Sequence, residues 1–417
     1  VSFPLLCILV WAGWLYLQQL RYGLGITGLN RPVYWGFYII NFVFFIGISH
    51  AGTLISAILR LCHAEWRRPI TRMAEVITVI VLCIGGIHPV LDLGRPDRML
   101  NLFLYGRLQS PLLWDVISVT AYFTACSIYL YLPLIPDIAI LRDRGTRPRW
   151  LYEFLSWNWQ GTAQQRKVLD RAIGIVMIMV IPIAVSVHTI IAYIFAMTIR
   201  TGWHSTILGP YFVVGAIYSG IAAIFVIMIT FRKVFHFENY LKLIHFQQLS
   251  KLLLVMSAIW FYFTFSEMLT GFFGAEPHEM AVLQSKLAGE YALMFWLMFA
   301  LNFIVPIIIL SFQRLRTIPG IFIASLGIII GMWIERYLIV VPTLSHSIFV
   351  EGVYRVALVE IAVFIGGLTA FVIGYLLFSK FFPLISIWEI REGREEAVAH
   401  AAKVVKGYQP NDGGADA

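Results

Sequence analysis

The chain has 417 residues, of which 59% are hydrophobic and 13% charged, with a mean hydropathy of +0.80. That leaves too little polar surface to coat a soluble globule of this length, so the sequence describes a polytopic membrane protein. The formal charge of +8 does not mark a nucleic-acid binder, because no basic stripe with interleaved aromatics occurs and Lys and Arg fall mostly in short loops.

In chain order, apolar segments predict membrane helices over 3–20, 33–60, 70–88, 112–136, 168–199, 210–231, 251–273, 289–312, 318–342 and 353–379. Each is near or above the roughly 20 residues that cross a hydrocarbon core, and in lipid only a helix satisfies its own backbone over that length. Nothing alternates with period two, which excludes a closed barrel. The first segment carries no basic leader or clear cleavage site, so it reads as a membrane helix and not as a signal peptide. Pro182 and Pro306 fall inside the fifth and eighth segments and predict kinks, with neighbouring helices taking up the freed carbonyls. Cys7, Cys62, Cys83 and Cys126 are isolated, with no spacing for a cluster, zinc or covalent haem, and read as packing residues.

Loop charges set the expected topology. The segments after spans 2, 4, 6 and 8 and the C-terminal tail hold most of the 31 Lys and Arg, while those after spans 1, 3, 5, 7 and 9 hold 7. By the positive-inside rule the first set is cytoplasmic, which places both termini inside.

The third segment ends in His88-Pro89-Val90-Leu91-Asp92-Leu93-Gly94-Arg95-Pro96-Asp97-Arg98, on the expected outer face. Pro89 and Pro96 disfavour helix at the residues before them, so the helix is expected to end at His88. An imidazole, a carboxylate and two guanidiniums then stand at the rim of an apolar phase, where a carbonyl-bearing ligand can be hydrogen-bonded and exchange protons. The competing reading is a capped membrane turn in which Asp92 and Arg95 neutralise each other.

Polar groups inside spans are costly and each is a candidate for function. His50 lies in Ser49-His50-Ala51-Gly52-Thr53, whose small residues allow close helix approach, and serves either as a relay or as a partner of a facing carbonyl. Asp115, after Trp114, stands in the first turn of span 4, where a cap-like role competes with a catalytic one. His188 lies in the outer half of span 5, so three histidines and two carboxylates can converge among spans 2 to 5. A second set comprises Glu267, Asn302, Glu335 and Arg336. Glu335 and Arg336 are adjacent and face each other poorly on a helix, so Arg336 is expected to pair elsewhere, with Glu267 the candidate.

Several motifs now carry a resemblance. Ser49-His50-Ala51-Gly52-Thr53 and Leu91-Asp92-Leu93-Gly94-Arg95-Pro96 with Arg98 resemble the NrfD/polysulfide-reductase membrane-subunit family. Ser110-Pro111-Leu112-Leu113-Trp114-Asp115, Gly202-Trp203-His204-Ser205-Thr206, Pro210-Tyr211-Phe212-Val213 and Gly331-Met332-Trp333-Ile334-Glu335-Arg336 look closest to the ActC/ActF-type subunits of alternative complex III. The resemblance covers most of residues 30–345. In the quinol-oxidising subunit of that type a histidine stands where this chain has Asp92; here a histidine stands four residues earlier.

The resemblance implies an all-α integral membrane protein with two four-helix bundles and flanking helices. The expected divisions are a first helix and outer loop (1–32), a first bundle with the quinol site (33–199), a second bundle (200–345), a last helix (346–379) and a cytoplasmic tail (380–417). It implies oxidation of a quinol such as menaquinol in a bacterial inner membrane, with electrons passing to an extracytoplasmic iron–sulfur subunit of the molybdopterin-oxidoreductase type, and with possible coupling to proton translocation. Multihaem cytochrome c subunits, a second NrfD-like membrane subunit and lipid are the other implied partners, and the chain is expected to bind no metal or haem of its own. His88 and Asp115 are expected to accept protons. Asp92, Arg95 and Trp114 complete the quinone-binding set, and His50, His188, Glu267, Glu335 and Arg336 form a proton relay. Quinone reduction by a periplasmic donor, or a non-catalytic proton-pathway or structural paralogue in the same complex, is the alternative within the family. Outside it, His50, His88 and His188 are candidate axial ligands of a b-type haem, without a repeated spacing to support them. The helix-interrupting prolines weakly suit a transporter.

Overall fold

A polypeptide in lipid must pair every backbone N–H and C=O within itself, and the computed structural model meets this with ten helices long and apolar enough to cross a membrane. It describes residues 2–62, 64–198, 200–346 and 352–395. Among these, the ten are α1 (Ser2–Tyr22), α2 (Phe37–Leu61), α3 (Arg68–Asp92), α4 (Pro111–Asp143), α5 (Ala163–Ala196), α6 (Leu208–Val234), α7 (Leu243–Gly274), α8 (Ala292–Ser311), α9 (Ile318–Ser345) and α10 (Leu358–Phe381). Each falls on a segment that the hydropathy marks. Several run past it, because a helix continues into the interface until its end groups find other partners. The chain is thus an all-α integral membrane protein.

α2, α3, α4 and α5 pack each on the next, and α5 returns to α2; α6, α7, α8 and α9 form a second ring of the same kind. The two bundles meet along α2 and α6, with α5 against α6 and α9 against α2, while α1 and α10 pair and lie against α3. α2 is therefore surrounded, and nearly all of it from Phe37 to Ala57 is buried.

Small residues make that position possible. A Cβ on Gly52 would stand 2.1 Å from the Ala74 carbonyl oxygen, and one on Gly220 would stand 2.2 Å from the Ala51 Cβ. Both neighbours of α2 thus approach at backbone distance around His50.

Pro306 shows how the bundle absorbs a missing donor. It lacks an N–H for the carbonyl of Asn302, α8 widens into a π turn over Ala300–Ile304, and the Tyr218 hydroxyl (2.7 Å) and Ser257 hydroxyl (3.1 Å) donate to that carbonyl from α6 and α7. Pro182 sits inside an unbroken α5.

At the end opposite His88, the start of the 380–417 tail folds back onto the first bundle. Asp137 of α4 accepts from the Arg72 guanidinium (2.5 Å) and from the backbone N–H groups of Ile387 (3.2 Å) and Trp388 (3.0 Å), with Arg72 and Asp137 both buried. Glu389 pairs with Arg60 and with Arg67 (3.2 Å). The tail beyond residue 395, and residues 347–351 before the last helix, lie outside the described residues.

Candidate functional site

The His88 turn differs from the sequence expectation in two ways. α3 does not stop at His88 but runs to Asp92 with Pro89 inside it, since in an apolar phase the helix is the conformation that satisfies the backbone and a proline is tolerated. The chain then turns at Gly94, whose φ of +61° suits glycine. Secondly, Arg95 pairs with Asp97 (3.0 Å) and not with Asp92, and both members of that pair are exposed. Arg95 therefore points into the interface, away from the helix end that Asp92 closes.

Placed within a helix, His88 is 2% exposed. Its Nδ1 lies 2.8 Å from the Ile84 carbonyl oxygen. A carbonyl only accepts, so Nδ1 carries the proton of the neutral ring and Nε2 is left with a bare lone pair. Among the described residues that Nε2 is buried without a partner, as are Asp92 Oδ1 and Asp115 Oδ1. An unpaired buried polar atom costs about 1–3 kcal/mol, so three at one end of one bundle call for an explanation.

The three do not form one cluster. The His88 ring packs on Phe45 of α2 (5.2 Å between ring centres) and lies beside Gly367 of α10. Gly86, two residues earlier and so nearly opposite on the helix, faces Val119 of α4, and Asp115 lies one turn before Val119. His88 and Asp115 thus stand on opposite flanks of α3, which separates the pair that the sequence joins. Asp92, one turn beyond His88, shares its flank. Gln19 of α1 donates to the Leu91 carbonyl there (2.9 Å) and accepts from the Tyr38 hydroxyl. Trp114 turns its ring outward and donates its indole N–H to the Leu108 carbonyl, bracing the loop before α4.

Deeper in the membrane, His50 and His188 do meet, with His50 Nε2 and His188 Nδ1 3.0 Å apart. Tyr122 packs on the His50 ring and its hydroxyl donates to the Ser49 carbonyl (3.3 Å). Arg336 lies within electrostatic reach of His188, over the Phe212 ring.

The partner of Arg336 is Glu335 at 3.1 Å, in place of the expected Glu267. Charge overrides the poor geometry of neighbouring residues: the contact is within ion-pair range but not aligned as a hydrogen bond. Glu335 also accepts from the Tyr211 hydroxyl and from Trp260 Nε1 (2.7 Å).

Glu267 faces elsewhere. It accepts from the Ser205 hydroxyl (2.8 Å) in the wall of a cavity of about 560 Å³ in the second bundle. α6, α7, α9, the start of α8 and the short helix Pro277–Leu287 enclose it, at the same end as His88, and Glu335 lies in its wall. His204 and Glu279 pair nearby (3.1 Å).

Comparison with known proteins fits this architecture. The family model for "Polysulphide reductase, NrfD" matches residues 25–348. The chain belongs to the NrfD family. A "Putative dimethyl sulfoxide reductase membrane subunit" of Halobacterium salinarum is 27% identical over 79% of this chain and 73% of its own length. A "Selenate reductase subunit" of Mesobacillus selenatarsenatis is 23% identical over 78% of this chain and 77% of its own length. The "Hdr-like menaquinol oxidoreductase integral membrane subunit" of Archaeoglobus fulgidus is 26% identical over 28% of this chain and 29% of its own length.

Several groups of this NrfD-family chain escaped sequence reasoning. Glu75 is a buried carboxylate in α3 that accepts from the Ser56 hydroxyl (2.6 Å), and a charged residue within a hydropathy-marked span was signal enough to single it out. Gln19, Tyr38 and Lys286 gave no such signal, because only the packing of distant helices places them at a site.

Proposed function

We propose that this chain is the quinone-handling membrane subunit of an oxidoreductase complex and oxidises a quinol such as menaquinol at the His88 end of the first bundle. One observation carries the reading: a neutral His88 whose Nδ1–H is committed to the Ile84 carbonyl, leaving a buried, unpaired Nε2 lone pair one turn from the unpaired Asp92 carboxylate oxygen. The quinol ring packs against apolar side chains near Phe45, one hydroxyl proton passes to His88 Nε2, the other to Asp92, and two electrons leave to an iron–sulfur cluster on a partner protein. Asp115 supplies a second carboxylate on the other flank. The deeper His50–His188 pair with Glu335 is a candidate proton relay.

The charge asymmetry of the loops favours an outer location for this end and cytoplasmic termini, in a bacterial inner membrane. Relatives named as reductase subunits and as a menaquinol oxidoreductase subunit support a membrane protein joined to a redox partner. The family resemblance favours a molybdopterin-type oxidoreductase as that partner. The motifs shared with alternative complex III support a second form of the reading, with multihaem cytochrome c subunits and a second NrfD-like chain. Co-purification distinguishes the two.

The test compares His88→Gln, Asp92→Asn and Asp115→Asn in the purified complex. His88→Gln and Asp92→Asn should each keep assembly and lower quinol turnover by about 10²–10⁴-fold. Unchanged turnover in both would remove this flank of α3 from the reaction, and a loss confined to Asp115→Asn would move the site to the α4 side.

A further inference from the structure

The second-bundle cavity occupies a telling place. In the first bundle the proposed quinol site lies at the end of the second helix, α3, with Asp115 at the start of the third, α4, on the other flank of α3. In the second bundle the corresponding positions are the end of α7 and the start of α8. The cavity lies between them, lined by Glu267 and Met268 of α7 and by Phe295 and Met298 of α8. Both bundles begin at the same end of the molecule, so the end of α7 is topologically equivalent to the end of α3 and the two sites face the same side.

We propose that this cavity is a second site for a lipid-soluble ring carrying two oxygen functions, the quinone class, with Lys286 and Glu267 as its polar contacts; this rests on the quinone reading of the first bundle. Its volume of about 560 Å³ lies within the range of small-molecule sites, which are mostly apolar with a few placed polar groups. Met268, Val282, Leu283 and Leu338 supply apolar wall. Lys286, half-buried on the wall, makes no hydrogen bond or ion pair among the described residues, so its ammonium is free to donate to a ring oxygen. Glu267 uses one oxygen for Ser205 and can accept a ring hydroxyl.

Electrostatics supports the pairing. Burial pushes the Lys286 ammonium down to about 8, against the attraction of Glu267. Around neutral pH the cation persists at a cost that a ring oxygen accepting from it would relieve. Glu335 lies in the same wall and is the ion-pair partner of Arg336, so an occupant touches the polar chain that leads to His188 and His50.

The experiment uses the complex as purified from membranes and a photoreactive azidonaphthoquinone, with labelled peptides mapped by mass spectrometry. Label is expected on the stretch 264–286 in the unaltered protein and in His88→Gln, and should fall about tenfold or more in Lys286→Met. It should also fall in Leu283→Trp, which fills the cavity without touching a charge. Labelling of 264–286 in the unaltered protein should weaken as pH rises through about 8 and Lys286 loses its proton. Label near His88 alone overturns the second site and leaves the first-bundle reading standing. Label on 264–286 alone supports the second site and overturns the first. Label on 264–286 that neither variant reduces, or no specific label at all, overturns the proposal.

Discussion

His50 Nε2 stands 3.0 Å from His188 Nδ1 and 2.7 Å from the Ala184 carbonyl oxygen, while His50 Nδ1 stands 2.9 Å from the Ile46 carbonyl oxygen. A neutral imidazole has one N–H, so His50 cannot donate to both carbonyls. When its proton is on Nδ1, the His188 Nδ1–H is the donor to Nε2; when it is on Nε2, Ile46 loses its donor. The two rings therefore settle their tautomers together. His50→Ala and His188→Ala should each destabilise the protein, and the double variant should depart from additivity by about 0.5–3 kcal/mol. A double-mutant cycle on unfolding in detergent measures this, and strict additivity would show that the rings are independent.

The Arg72–Asp137 pair makes a second prediction, about the closure at the far end. Both groups are fully buried, so Arg72→Met leaves an uncompensated carboxylate and should cost about 3–5 kcal/mol. Asp137 also holds the backbone of Ile387 and Trp388, so Asp137→Leu should loosen the returning tail as well. Arg72→Met with Asp137→Leu should recover part of the stability lost in Arg72→Met, while the tail stays sensitive to protease. Thermal unfolding and limited proteolysis near residues 382–395 check the two parts separately.

Lys286 gives a pH signature in stability. Its unfolded ammonium holds its proton up to about the ordinary 10.5, whereas the folded one releases it near 8. Between these values the unfolded chain binds more protons, so this group makes stability rise with pH across that window. Below about 8 both states are charged and the burial cost is fully felt. Lys286→Met should be the more stable protein near pH 7 and should lose the rise above pH 8; a rise of equal size in both proteins would locate it elsewhere.

Sidedness has its own test. Tyr105 in the loop after α3 is 80% exposed, whereas Gly106 beside it has no room for a side chain, since a Cβ would stand 2.0 Å from the Leu102 carbonyl oxygen. With the exposed Cys7, Cys62 and Cys83 removed, Tyr105→Cys should react with an impermeant thiol reagent in intact cells. Arg144→Cys, at the opposite end of α4, should react only after the membrane is opened. The reverse pattern would turn the proposed quinol site toward the cytoplasm.

Composition and hydropathy by themselves determined the class and the ten spans, and the motifs the family, because the hydrocarbon phase admits few backbone solutions and a span of apolar residues states its own length. The residue types of the candidate sites were equally legible, since a His, Asp or Glu inside a span such as His50 or Asp115 is conspicuous. Which of them meet was decided only by tertiary structure. His88 and Asp115 lie close in sequence and on one rim, yet the rotation of α3 puts them on opposite flanks, and a helical angle changes by about 100° with each residue. Arg336 was assigned a distant carboxylate on geometry alone, but in this bundle the carboxylate within reach is that of Glu335. The second-bundle cavity is lined by residues of three motifs, among them Ser205, Tyr211 and Glu335, but nothing in the sequence joins these to Glu267 and Lys286, and only helix packing encloses them.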